Sequence, residues 1–128
     1  MYGFGVKVKC GFDEAINKVT EALKTEGFGV LTEIDVKATL KKKLDVDRKA
    51  YTILGACNPT LANQAINAEP DIGLLLPCNV LVREEDDGSV KVMFMDPAAV
   101  LGLVSAPEVQ DLAGQVRAKL EKVQALLT

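Results

Sequence analysis

The segment GLLLPCNVLVREEDDGSVKVMFM, residues 73–95, restricts the possible folds of this chain more than any other stretch. Asp86-Asp87-Gly88 is a turn signal between two apolar runs, so the segment reads as two antiparallel strands joined by a tight connection. The first arm is apolar at Leu74, Leu76, Cys78, Val80 and Val82, and again at Leu75, Pro77 and Leu81. A strand apolar on both sides must be covered on both sides. Pro77 offers no N–H to a ladder and predicts a bulge, a break or an edge at that point. Helices can cover one face; the other needs something else.

Upstream of the hairpin, strands and helices alternate. In YGFGVKVKC, residues 2–10, Tyr2, Phe4, Val6, Val8 and Cys10 alternate with Gly and Lys, the period-two pattern of a strand. Asp13 is placed to cap a helix carrying Ala15, Ile16, Val19, Ala22 and Leu23, and Gly27 supplies its left-handed stop. A second strand follows around residues 28–34, then Asp35 and a short helix striped by Val36, Leu40 and Leu44. Lys41, Lys42 and Lys43 lie in its last turn, where they complement the helix dipole and stay solvated. A third strand, about residues 50–56, runs into Cys57-Asn58-Pro59, where Asn58 caps a helix and Pro59 begins it. After the hairpin, Asp96-Pro97 repeats that device, and Ser105-Ala106-Pro107-Glu108 matches a capping box before a long helix. The order βαβαβαββαα predicts a two-layer α+β domain, with helices packed on one face of a mostly antiparallel sheet.

Composition narrows function. At 128 residues the chain is the size of one domain, 1–128, able to bury a core without staples. Fifteen basic against eighteen acidic residues, no Trp and 5% aromatic residues argue against nucleic-acid binding, which draws on cationic and stacking surfaces. No apolar run is long enough to span a membrane and the first ten residues do not resemble a signal peptide, so a cytoplasmic location is expected. Three cysteines, Cys10, Cys57 and Cys78, make an odd number with no C-x-x-C pair, so free thiols are expected. The chain has no His, which removes the commonest general base and transition-metal ligand.

The candidate site centres on two Cys-Asn dipeptides, Cys57-Asn58 and Cys78-Asn79. Cys57 precedes a helix N-terminus, where free amides and the helix dipole lower a thiol pKa; equally, it is a small apolar residue ending a strand. Asn58 reads as a cap. Asn79 interrupts an apolar strand and either satisfies backbone freed by Pro77 or points into a pocket. A zinc site is not expected, because twenty residues separate Cys57 from Cys78 and only Glu33 or Asp35 is available to assist. A soft ion such as copper(I) needs fewer ligands. Glu33 and Asp35 share a strand parity suited to an acid–base pair, although capping alone accounts for Asp35.

The residues EID (33–35), ILGACNPTLA (53–62), LLLPCNVLV (74–82) and MDP (95–97) resemble the small bacterial and archaeal family known as domain of unknown function 302. The resemblance covers nearly the whole chain. It implies a compact α+β domain, homodimeric, with Glu33, Cys57, Asn58, Pro59, Pro77, Cys78 and Asn79 at signature positions, and it carries over no activity or cofactor.

Two functional expectations follow. One is a cytoplasmic homodimeric binding or interaction module, with a small-ligand pocket near the Cys-Asn pairs lined by Glu33, Cys57, Asn58, Cys78 and Asn79. The other is a thiol-dependent enzyme, redox protein or soft-metal binder that uses Cys57 and Cys78. Whether the chain is an enzyme is left open, and neither expectation requires a cofactor, nucleic acid or membrane.

Overall fold

The computed structural model describes residues 1–128. In chain order it has β1 (Gly3–Val8), α1 (Phe12–Thr25), β2 (Gly29–Asp35), α2 (Val36–Leu44), β3 (Tyr51–Cys57), α3 (Pro59–Ala68), β4 (Cys78–Glu84), β5 (Val90–Met95), α4 (Pro97–Val100) and α5 (Pro107–Leu126). Short 3-10 helices occupy Pro70–Leu75 and Leu101–Leu103. The strands form one sheet in the order β1-β5-β4-β3-β2, with every neighbouring pair antiparallel. The fold is α+β.

Alternation along the strands builds a two-sided sheet. Leu54 lies opposite Val80, Val80 opposite Phe94 and Val82 opposite Val92, and all are buried. Ala15, Val19 and Leu23 of α1, Leu61 and Ala65 of α3, and Val109, Leu112, Val116, Leu120 and Val123 of α5 close over this face in one apolar core. Their spacing of three and four residues puts one side of each helix on the sheet. Burying a side chain such as Leu54 or Phe94 there stabilises the fold by roughly 1.5–3 kcal/mol. The alternate residues, among them Ile53, Leu81 and Met93, project from the other face and are only half-buried.

Several local expectations are corrected. The first hairpin arm does not begin at Leu74: Pro70–Leu75 coils as a 3-10 helix, Leu74 is 87% exposed, and β4 starts at Cys78, immediately after the cis Leu76–Pro77 bond. Pro77 lacks a ladder donor and Pro70 is favoured at a helix start, so the apolar run is cut into a turn and a strand. Asp13 is not the cap of α1; Gly11 holds that position without a side-chain bond, and Asp13 lies in the first turn. Ser105 does not cap α5 either, since the helix starts at Pro107 with Ala106 before it. The side chain of Gln110 instead donates to the carbonyls of Leu101 and Val104, closing the turn from within the helix. α2 forms as expected but buries no residue, leaving Leu44 exposed. Its Lys41 is paired with Asp45 at 2.8 Å and Asp47 at 3.1 Å, and Asp45 followed by Asp47 raises the pKa of the ammonium.

Candidate functional site

The β3–α3 joint follows directly from its sequence. Asn58 is extended, its Oδ1 accepts from the Leu61 amide at 3.2 Å, and Pro59 opens the helix. Its Nδ2 donates to the Glu26 carbonyl at 3.3 Å, which ties the joint to the turn between α1 and β2. Gly27 in that turn has φ +82°, and a Cβ there would lie 3.0 Å from the Asn58 amide nitrogen. Glycine is therefore required by the backbone and by the close approach together. With donor and acceptor both engaged, Asn58 acts as a structural tie.

Beside this joint, at the end of the sheet, lies a cavity of about 340 Å³. Ala56, Cys57 and Cys78 come from the strands, Leu61 and Ala65 from α3, Leu112 and Val116 from α5, and Leu76 and Pro77 from the segment before β4. Small side chains on β3 and α3 leave the space that larger ones would fill. Leu31, 67% exposed, and Ile66, 45% exposed, line it and mark its mouth. The wall contains no carboxylate, ammonium or guanidinium. Its polar side chains are Thr32, Asn58 and the two thiols, so it discriminates by shape and apolar contact more than by charge.

Cys57 and Cys78 share this wall and both are free. Cys78 is buried; desolvation, followed by the proximity of Cys57, pushes its thiol up from 9.0 to about 11. At neutral pH Cys78 is a protonated thiol and a poor nucleophile. No group of three or more Cys, Asp or Glu side chains is placed to hold a metal ion.

Glu33 and Asn79 lie elsewhere. β3 pairs with β4 so that Ala56 faces Cys78 and Gly55 faces Asn79, which sends the Asn79 side chain to the uncovered face of the sheet. The second Cys-Asn pair is thus divided between two faces, with Cys78 buried and Asn79 exposed. Glu33, opposite Leu54 on the edge strand β2, is exposed and outside the cavity wall. Asp35 stands on the same side of β2, where its Oδ1 accepts from the Ala38 amide at 2.9 Å as the cap of α2. The structure therefore brings together Cys57, Asn58 and Cys78, but not Glu33 or Asn79.

A second polar cluster escaped the sequence reading. Arg117 of α5 bonds Asp96, the cap of α4, and Glu121 at 2.8 Å, and its guanidinium lies 4.1 Å from the Phe4 ring centroid. Burial raises the Asp96 pKa, but the Arg117 bond and the amides of Ala98 and Ala99 outweigh it and hold the carboxyl below its ordinary range. Asp96 was legible as a cap; Arg117, twenty-one residues away, has no local signal. The apolar cavity residues Phe28, Leu61, Leu112 and Val116 were equally silent, since each also reads as core.

No helix is long and apolar enough to cross a membrane. An uncharacterized protein of Aquifex aeolicus (strain VF5) is 31% identical over 74 residues, a match spanning 48% of this chain and about half, 51%, of that protein's length. The crystal structure of the uncharacterized conserved protein DUF302 from Bacillus stearothermophilus superposes with a TM-score of 0.92 at 30% identity, covering 100% of this chain and 99% of the other. The family model described as Domain of unknown function DUF302 matches residues 4–127, nearly the entire length, and the chain belongs to that family.

Proposed function

We propose that the protein is a cytoplasmic homodimeric binding module that holds a small, uncharged, largely apolar molecule in the cavity at the end of the sheet. The observation that carries this reading is the cavity wall: about 340 Å³ bounded mainly by aliphatic, aromatic and thiol groups, with Thr32 and Asn58 as its other polar side chains and no ionic one. Cavities of this size lie within the range that takes small-molecule ligands, and a charged group placed inside would be desolvated without a partner. Free thiols suit a reducing compartment. The half-buried apolar residues of the uncovered face support self-association.

The test uses a neutral fluorescent probe, N-phenyl-naphthylamine, titrated into the full-length protein. Saturable binding is expected, and Ala65→Phe, which puts a ring into the space, is expected to weaken it at least tenfold while circular dichroism stays unchanged. Equal binding by the folded variant would refute the cavity as the site.

One observation favours the thiol reading: both Cys57 and Cys78 reach the same wall. In that reading Cys57 is the attacking or metal-binding sulfur and Cys78 its protonated neighbour. Alkylation by iodoacetamide near neutral pH separates the readings, since a folded protein inert at both positions excludes exposed thiol chemistry.

A further inference from the structure

The uncovered face of the sheet is ordered in three cross-strand rows. Gly5, Met93, Leu81, Ile53 and Ile34 are successive partners across all five strands and form an apolar middle row. On one side of it runs a row of Lys7, Lys91, Arg83 and Tyr51, and on the other a row of Asn79, Gly55 and Thr32. One flank is bulky and cationic; the other is small and uncharged. Between them lies a hollow of about 520 Å³, lined in part by Tyr51, Asn79, Leu81, Arg83 and Met93.

The geometry points to a second copy of this chain as the occupant of this face, related by a twofold axis that runs along the apolar row. The inference rests on the homodimeric reading and names its surface and pairing. Such an axis lays middle row on middle row and exchanges the flanks. An axis along the strands would instead lay the row of Lys7, Lys91 and Arg83 over the partner's copy of the same row, a like-charge contact that costs affinity. Within β4, Asn79 and Arg83 stand two residues to either side of Leu81 on the same face. The axis through Leu81 therefore places Arg83 over the partner's Asn79, whose amide oxygen accepts from the guanidinium, and symmetry makes this contact twice. Glu85, 3.3 Å from Arg83, holds the guanidinium at the rim of the face. Aligned sheets packed in this way keep their strands within about 30° of each other. Asn79, which local structure does not explain, acquires a partner.

Sedimentation equilibrium of the full chain tests this. The natural chain is expected to be a dimer at micromolar concentration, and Leu81→Arg a folded monomer. Asn79→Arg, which sets guanidinium against guanidinium, is expected to weaken the dimer about a hundredfold, and adding Arg83→Asp to it is expected to restore association. Residue 79 is exposed, so circular dichroism should show the fold intact. A monomeric natural chain overturns both the homodimeric reading and this one. A dimer indifferent to Leu81→Arg leaves the homodimer standing and overturns the face. A dimer broken by Leu81→Arg but indifferent to Asn79→Arg keeps the face and overturns the twofold pairing.

Discussion

Cys78 illustrates how one atom's surroundings decide its chemistry. Its sulfur lies in the apolar wall, and burial together with Cys57 pushes the thiol up to about 11 from 9.0. The unfolded chain therefore loses this proton first. Stability is fully present below pH 9.0, declines as pH rises above it, and the contribution is lost once pH passes about 11. A shift of this size corresponds to about 3 kcal/mol. Urea unfolding between neutral and alkaline pH should show this loss in the natural chain, and Cys78→Ala should remove that component of the decline. The same Cys-Asn dipeptide ends quite differently at its two occurrences. Asn58 is bonded to Leu61 and Glu26, whereas Asn79 faces outward from the sheet.

Joints between strands and helices were the most legible elements. Asn58-Pro59 and Asp96-Pro97 both cap and open helices as their residue types dictate, with side-chain oxygens on the Leu61 and Ala98 amides. Asn58→Ala removes both the cap and the tie to Glu26 and should cost about 1–2 kcal/mol by thermal unfolding. Asn58→Asp keeps the acceptor and loses the donor, so it should recover part of that loss. At the starts of α1 and α5 a neighbouring residue sets the boundary. Proline at position 107 starts α5 regardless of Ser105, and Gly11, already extended with φ −71° and ψ 169°, takes the cap position and leaves Asp13 in the first turn. The run at 74–76 shows the limit of apolar content as a guide, because prolines at 70 and 77 bracket it and the chain turns instead of extending.

Across the whole molecule, the sheet separates two surfaces. The cavity opens among α3, α5 and the ends of β3 and β4, while the rows of Leu81, Met93 and Ile53 occupy the opposite side of the sheet. The two sites share Thr32, which lines the cavity and ends one flank of the uncovered face, but it is a strand partner of neither Leu81 nor Ala65, so substitutions at those two positions act independently. Leu81→Arg should therefore leave the affinity for N-phenyl-naphthylamine within about twofold, and Ala65→Phe should leave the sedimentation behaviour unchanged. Strong coupling in either direction would mean that ligand and second copy compete for one surface. Arg117 contributes to the helical layer by joining α5 to the cap of the preceding helix α4 and to Phe4 of β1, at the opposite end of the chain.

Periodicity and turn chemistry established the strands, most of the helices, the central hairpin and the α+β class, because these depend on neighbours within a few residues. The EID, GACNP, LLPCN and DP segments pointed to the family. Folding in three dimensions added what spacing cannot encode. It sent Cys78 and Asn79 to opposite faces through the pairing of β3 with β4, put Cys57 and Cys78 on one apolar wall, and left Glu33 outside on an edge strand. Side-chain direction along a strand is fixed locally, but which face becomes a cavity wall and which stays uncovered depends on where distant helices pack.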